Sequence, residues 1–321
     1  MAIDYINPLD KKEVIEQSDG LYQDGLLKFR LQDGAFRIVS DSNYTDNFGR
    51  EWNEFQKTQI DKFSGKTISR ERFFAQTGWD KTNLSGQNVL EVGSGAGRFS
   101  QIVLDFTQAN LYSVDYSSAV EANFRNNGPN NRFKLFRASI YELPFKQNQF
   151  DKVFCFGVLQ HTPDFKKSVQ CLIEMVKPGG ELVVDFYPVR GWYSKINAKY
   201  MLRPFTKSMN QDKLMNLIRK NVNWMITASN FFSKLGVGKI TNRFIPVCDI
   251  ATTIPANISK EQLREWVILD TFDMFSPAYD NPQSLNTVKH WFEEMGMQNV
   301  NARFIKYSGH FESAVVSALK P

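Results

Sequence analysis

The stretch Asn88-Val89-Leu90-Glu91-Val92-Gly93-Ser94-Gly95-Ala96-Gly97-Arg98-Phe99 constrains this chain more than any other. An apolar strand carries a carboxylate near its end, turns tightly on glycines and runs into a segment of helical character. In a parallel α/β sheet such a turn lies at the carboxyl end of a strand, where ligands bind. Glycines there permit positive φ and let a ligand approach the backbone closely. The spacing discriminates between ligands. A dinucleotide fingerprint reads G-x-G-x-x-G. Here the position of its last glycine is Arg98, and the glycines stand at 93, 95 and 97, with Glu91 two residues ahead of the first.

The chain downstream repeats the strand-then-helix rhythm. Leu111-Tyr112-Ser113-Val114-Asp115-Tyr116 is a second strand ending in an acid, Asp115, 22 residues after Gly93. An acid about 20 residues past such a turn sits at the end of the neighbouring strand and can accept from both ribose hydroxyls. The plain alternative is a helix cap near Ser117. A third strand, Phe133 to Ala138, leads into Ser139-Ile140-Tyr141-Glu142-Leu143-Pro144-Phe145. A fourth, Phe150 to Gly157, is followed by Val158-Leu159-Gln160-His161. A helix near 165–176 is stopped by Lys177-Pro178-Gly179-Gly180, and residues 181–187 form a fifth strand.

These segments together resemble the class I S-adenosylmethionine-dependent methyltransferases, and in particular those of polysaccharide and natural-product clusters. E-x-G-x-G-x-G over Glu91 to Gly97 resembles the family's motif I, Leu-Pro-Phe its adenine loop, and K-P-G-G-x-L the turn before its fifth strand. The resemblance implies a Rossmann-like α/β sheet of strand order 3-2-1-4-5-7-6, last strand antiparallel, with helices on both faces. Residues 300–305 and 311–317, joined at Ser308-Gly309-His310, would be the closing hairpin. It implies S-adenosylmethionine as cofactor. Glu91 would hold the methionine amino end, directly or through water, and Gly93, Gly95 and Gly97 would form the turn. Asp115 would bind ribose, Tyr116 and Ile140 would flank adenine, and Phe156 and Gly157 would line the methionine side. The family usually has an acid where this chain has Ser139, whose hydroxyl is a weaker acceptor for the adenine amino group.

Methyl transfer from a sulfonium needs alignment and exclusion of water. A base is required only when the nucleophile must lose a proton, as an alcohol must. His161, just past the fourth strand, would lie near the methyl group, and imidazole, of reference pKa about 6.5, can take that proton near neutral pH. A loop histidine bonded to a carbonyl is the ordinary alternative. Asp270, Asp273 and Tyr279 fall in a D-T-F-D-x-x-S-P-x-Y stretch that resembles the substrate side of those cluster enzymes, with Tyr187 and Tyr193 as weaker candidates for the same wall. Capping around Pro277 explains the same residues without substrate. The activity expected is methylation of a small molecule at a hydroxyl of a sugar, glycolipid or secondary metabolite. Two rivals remain. One is a non-catalytic cofactor- or partner-binding protein; the other is an NAD-dependent oxidoreductase, disfavoured by Arg98 and Lys-Pro-Gly-Gly.

Four regions are expected. Residues 1–50 form a small appendage, with a hairpin through Asp33-Gly34 that has no cysteine to bind metal; 51–187 form the core; 188–262 form a basic helical insertion or lid; and 263–321 supply a substrate-side loop, a final helix and the closing hairpin. Residues 50–60 suggest a helix with Trp52, Phe55 and Gln59 on one face; the resemblance implies that it lids the cofactor pocket, and packing on the sheet edge is the plain alternative. No apolar run reaches the roughly 18 residues of a spanning helix. The start lacks the basic and apolar regions of a secretory signal. Cys155, Cys171 and Cys248 show no metal-ligand spacing and read as reduced thiols, so a cytoplasmic protein without metal is expected.

The charge is unevenly placed. Residues 188–260 hold twelve Lys or Arg against two Asp, a net of +10, which leaves the rest of a chain of net +5 at −5. The block also carries Trp192, Tyr193, Trp224, Phe231 and other aromatics. An anionic small-molecule acceptor, contact with anionic lipid, and contact with RNA are three readings, beside a helical cap with a solvated basic face. The spacing of Leu214, Leu217, Ile218, Val222 and Met225, flanked by Lys213, Arg219 and Lys220, is amphipathic. Nucleic acid is disfavoured for want of a recognisable binding module, and the oligomeric state is left open.

Overall fold

The computed structural model describes residues 3–39, 43–79, 84–191 and 196–321, the side chain of Lys239 excepted. Trp192 and Tyr193 lie outside the described residues. Five strands open the chain: β1 (Tyr5–Ile6), β2 (Glu13–Gln17), β3 (Gly20–Gln23), β4 (Leu26–Gln32) and β5 (Ala35–Arg37). Each pairs antiparallel with the next. The two-residue turn between β4 and β5 is Asp33-Gly34 at φ 50° and 77°, the geometry that a tight hairpin asks of Asp-Gly. β5 then runs parallel to β8 (Phe133–Arg137), with Ala35 opposite Leu135. The strands of residues 5–37 therefore extend the central sheet and are not an appendage standing apart from it.

Between β5 and β8 come α1 (Asp46–Glu54), α2 (Asp61–Ser64), α3 (Ile68–Thr77), β6 (Asn88–Val92), α4 (Arg98–Phe106), β7 (Asn110–Asp115) and α5 (Ala119–Asn127). The helix expected over 50–60 starts earlier and ends at Glu54. After β8 follow β9 (Phe150–Phe156), α6 (Phe165–Met175) and β10 (Val176–Phe186). The full strand order is β1-β2-β3-β4-β5-β8-β7-β6-β9-β10-β12-β11, where β11 is Gln298–Tyr307 and β12 is Phe311–Leu319. From β8 outward this is the expected 3-2-1-4-5-7-6. β12 runs antiparallel to β10, and β6, β7, β8, β9 and β10 pair in parallel.

Alternation of side chains buries both faces of the central strands. On one face Leu90, Val92, Val153, Cys155, Leu182 and Val184 pack with Phe165 and Val169 of α6. On the other, Val89, Phe154, Phe156 and Val183 pack with Phe73 of α3 and Ile102 of α4. The Lys177-Pro178-Gly179-Gly180 step sits inside β10 and shifts its register on β9 between Val176 and Glu181.

Residues 1–188, 279–308 and 313–321 make one compact unit, and residues 189–278 with 309–312 make a second. The second unit holds α7 (Ala198–Thr206), α8 (Gln211–Lys234), α9 (Gly238–Thr241), α10 (Ile250–Thr253) and α11 (Lys260–Phe275); α12 (Leu285–Glu294) belongs to the first. The substrate-side loop expected from 263 onward is instead helix α11. Its start is a capping box, in which Ser259 accepts from Gln262 N and the Gln262 side chain accepts from Ser259 N. α11 packs against α8 and α7, and Arg203 of α7 donates to Pro277 O at 2.9 Å. The boundary of the second unit thus falls at 278 and not at 262.

α8 also corrects the sequence reading of its faces. Leu214, Ile218, Val222 and Met225 are its buried stripe, whereas Leu217 points the other way and is exposed.

Candidate active site

The site is built at the carboxyl ends of β6, β7 and β9. The turn after β6 is tied to its neighbour: Gly93 N and Ser94 N both donate to Val114 O, at 2.7 and 3.1 Å. Gly93, Gly95 and Gly97 take φ values of 83°, 52° and 86°, which other residues rarely adopt. Space demands glycine too. A Cβ on Gly93 would meet Val158 Cγ2 at 2.2 Å, and one on Gly97 would meet Asn123 Oδ1 at 2.1 Å.

Two carboxylates brace the glycine turns in the same manner. Asp115, ending β7, accepts from Gly95 N at 2.8 Å through Oδ2 and from Ser117 N at 2.8 Å and Ser117 Oγ at 2.6 Å through Oδ1. Burial raises its pKa above the ordinary carboxylate value, against the opposing pull of those donors. Oδ2, with one donor, keeps a further lone pair, so the group can still accept from a hydroxyl. Asp185, near the end of β10, accepts from Gly157 N at 2.5 Å, from Arg72 Nη2 at 2.5 Å and from Gln76 Nε2 at 2.6 Å. Arg72 comes from α3, and although burial would lower its pKa, Asp185 raises it, so the guanidinium stays charged. A Cβ on Gly157 would have Arg72 Nη2, at 3.9 Å, as its nearest neighbour. Arg72 and Asp185 are functional candidates that sequence reasoning missed. Asp185 carried the signal that singled out Asp115, an acid closing an apolar strand. Arg72 carried none, because its partner lies 113 residues away.

Glu91 is almost wholly buried. Its Oε2 accepts from Ser100 Oγ at 2.5 Å and Ser113 Oγ at 2.6 Å, and Asn123 donates in turn to Ser100 Oγ at 2.9 Å. Burial pushes its carboxyl up to about 7, against the hydroxyl donors. Glu91 is therefore bonded into the scaffold that joins β6, α4 and β7, and through it reaches the turn.

α1 lies over the glycine turn. Trp52 Nε1 sits 3.3 Å from where a Gly95 Cβ would be, and Asn53 Nδ2 donates to Ser118 O at 3.0 Å. Just ahead of α1, Asn43 Nδ2 donates to Tyr116 O at 2.9 Å, and the Tyr44 ring meets Tyr116 edge-on at 5.2 Å and Tyr279 at 5.3 Å. Ser139 and Ile140 are buried in the loop after β8, where Ser139 Oγ accepts from Tyr141 N at 3.2 Å. That bond draws Ser139 partly into its own loop.

His161 ends a 3-10 turn, Leu159–His161, after β9. Its ring packs on Phe48 at 5.1 Å and on Tyr187 at 5.6 Å, and its Nδ1 lies 3.1 Å from Tyr279 O. A carbonyl only accepts, so Nδ1 carries the proton and the ring's lone pair is on Nε2. The structure thus brings Tyr187 and Tyr279 to His161. Asp270 and Asp273 lie half-buried on α11 in the second unit.

The residues present suit S-adenosylmethionine. Asp115, the glycine turn and Gly157 stand at the carboxyl ends of neighbouring strands, and Asp115 Oδ2 retains an acceptor that a ligand hydroxyl can use. Ser94 Oγ is buried in the turn without a hydrogen-bond partner and can serve a polar ligand end.

Comparison with known proteins agrees. Residues 90–184 match the family model described as a methyltransferase domain. A tRNA U34 carboxymethyltransferase of Campylobacter curvus is 29% identical over 116 residues, 35% of this chain and 39% of that protein. A ubiquinone biosynthesis O-methyltransferase of Pseudomonas fluorescens is 27% identical over 133 residues, 39% of this chain and 56% of its own length. The chain spans about two-fifths of the length of the first of these relatives. Among solved structures, a chain of the complex between the Haloferax volcanii Trm112 methyltransferase activator and a methyltransferase shares the fold, at TM-score 0.50 and 11% identity, with 86% of this chain and 98% of that one covered. Residues 90–184 thus match a methyltransferase domain on a sheet of class I strand order, with S-adenosylmethionine as the cofactor.

Proposed function

We propose that the protein methylates a hydroxyl group on a small molecule, such as a sugar, glycolipid or secondary metabolite, with His161 as the base. S-adenosylmethionine, when bound, supplies an electrophilic methyl group on a sulfonium. The observation that carries the reading is the bond between His161 Nδ1 and Tyr279 O, which leaves the basic lone pair on Nε2. Phe48 and Tyr187 hold the ring from two sides, so its orientation does not depend on the acceptor. Tyr187 and Tyr279 are the acceptor-side walls of this reading. That one relative is an O-methyltransferase supports a hydroxyl acceptor.

The test is transfer of labelled methyl to a panel of hydroxyl, amine and carbon acceptors by the protein and by His161→Asn. A hydroxyl acceptor should be labelled, and the variant should lose about 10²–10⁴-fold in rate while keeping its affinity for S-adenosylhomocysteine. Transfer to amines alone, or a variant as fast as the parent, would remove His161 from the chemistry.

A further inference from the structure

The second unit carries an outward surface that the methyl-transfer reading does not use. α8 buries Leu214, Met215, Ile218, Val222 and Met225 along one side. At alternating steps of four and three residues, Lys213, Leu217, Lys220, Trp224, Thr227, Phe231 and Lys234 make a second row, and every one of them is exposed. At 3.6 residues per turn this row lies about 150° around the helix from the buried one. Leu217, Trp224 and Phe231 are 51%, 51% and 57% exposed. Their seven-residue spacing sets them about 10 Å apart, in a line roughly 21 Å long. The Trp224 indole N–H donates to Asn221 Oδ1 at 2.8 Å, so its polar edge is satisfied while the ring stays exposed.

Single exposed apolar side chains are ordinary, but an aligned row of large ones marks an interaction surface. Met201, Leu202 and Phe205 of α7, and Leu235, Val237 and Ile240 after α8, add exposed apolar groups to the same unit. Among the described residues Lys213, Lys220 and Lys234 have no ion-pair partner. The chemistry of the row selects its occupant. A second copy of the chain would set lysine against lysine along the seam. Bases would stack on Trp224 and Phe231, but Leu217 and the aliphatic side chains around the row offer them no ring. An anionic bilayer satisfies both halves of the pattern: apolar side chains enter the headgroup level while lysine stems lie along them and carry their charge to the lipid phosphates. No helix among the described residues is long and apolar enough to cross a membrane, so this contact is interfacial.

We propose that this face of α8 docks the protein on an anionic lipid surface, through Leu217, Trp224 and Phe231 in the interface and Lys213, Lys220 and Lys234 at the headgroups. The test is sedimentation of the full chain with phosphatidylcholine vesicles, with and without about one-third phosphatidylglycerol, at low and high salt. Two variants accompany it: Leu217→Gln with Trp224→Gln and Phe231→Gln, and Lys213→Glu with Lys220→Glu and Lys234→Glu. All six positions are exposed, and circular dichroism with S-adenosylhomocysteine binding checks that the fold is kept. Binding to the anionic vesicles at low salt, weakened by salt and reduced about tenfold or more in each variant, is expected. Absence of binding at low salt overturns the proposal, as does binding that survives the glutamine variant. So does a dimer in solution that the glutamine substitutions dissociate, or tight binding of an RNA oligonucleotide with none to vesicles.

Discussion

Replacing Glu91 by Gln removes a buried ionisable group while keeping an acceptor for the Ser100 and Ser113 hydroxyls. Burial raises the Glu91 carboxyl from 4.5 to about 7. Between those values the unfolded chain has lost the proton and the folded chain still holds it. The folded state therefore binds more protons, and stability falls as pH rises through this window. Above about pH 7 both states are ionised, and the accumulated cost at 1.36 kcal/mol per unit is about 3 kcal/mol. The group is buried, so solvent screening does not discount it. Glu91→Gln should match the parent protein near pH 5 and exceed it by up to about 3 kcal/mol near pH 8, roughly 6–12 °C in Tm for a unit of this size. Thermal melts of both proteins across that range, without cofactor, read the difference directly, and groups common to both cancel. A variant less stable than its parent near pH 8, or a difference that does not change with pH, would show that the Glu91 carboxylate is ionised comfortably in its site.

Gly97→Ala should destabilise by about 2–4 kcal/mol in urea unfolding, because φ is 86° and the new Cβ would meet Asn123 Oδ1 at 2.1 Å and Asn127 Nδ2 at 2.2 Å; a loss below about 1 kcal/mol would mean that the turn relaxes freely. Arg72→Met leaves Asp185 buried without its cation and should cost about 3–5 kcal/mol, most of it recovered when Asp185→Asn is added. If the second substitution recovers nothing, the pair is not coupled as its geometry indicates.

Local signals made the glycine turn and the order of the central strands readable. Three glycines, an acid at the end of the next strand and the Lys-Pro-Gly-Gly step are each short-range demands of backbone geometry, and together they carry the sheet order from β8 to β11. What escaped was long-range or two-sided. The parallel pairing of Ala35 with Leu135 joins strands 100 residues apart, and nothing in either strand names its partner. Still longer separations hid Arg72 from Asp185, 113 residues away, and Tyr44 from Tyr279. In the sequence Asp270, Asp273 and Pro277 suggest a loop where α11 stands, because the buried positions of α11, among them Trp266, Ile268, Leu269 and Phe272, fall on more than one side and show no clean stripe. On α8 the period was right, but apolar residues line two opposite sides, and periodicity alone does not say which of them faces the core.

The most direct test of the account is calorimetric titration of S-adenosylhomocysteine into the protein, with NAD and Asp115→Ala as controls. Micromolar binding that the variant loses, with no heat from NAD, is the predicted result. Binding unchanged in Asp115→Ala, or none in the parent protein, would contradict a cofactor site formed by the glycine turn and the carboxylate that braces it.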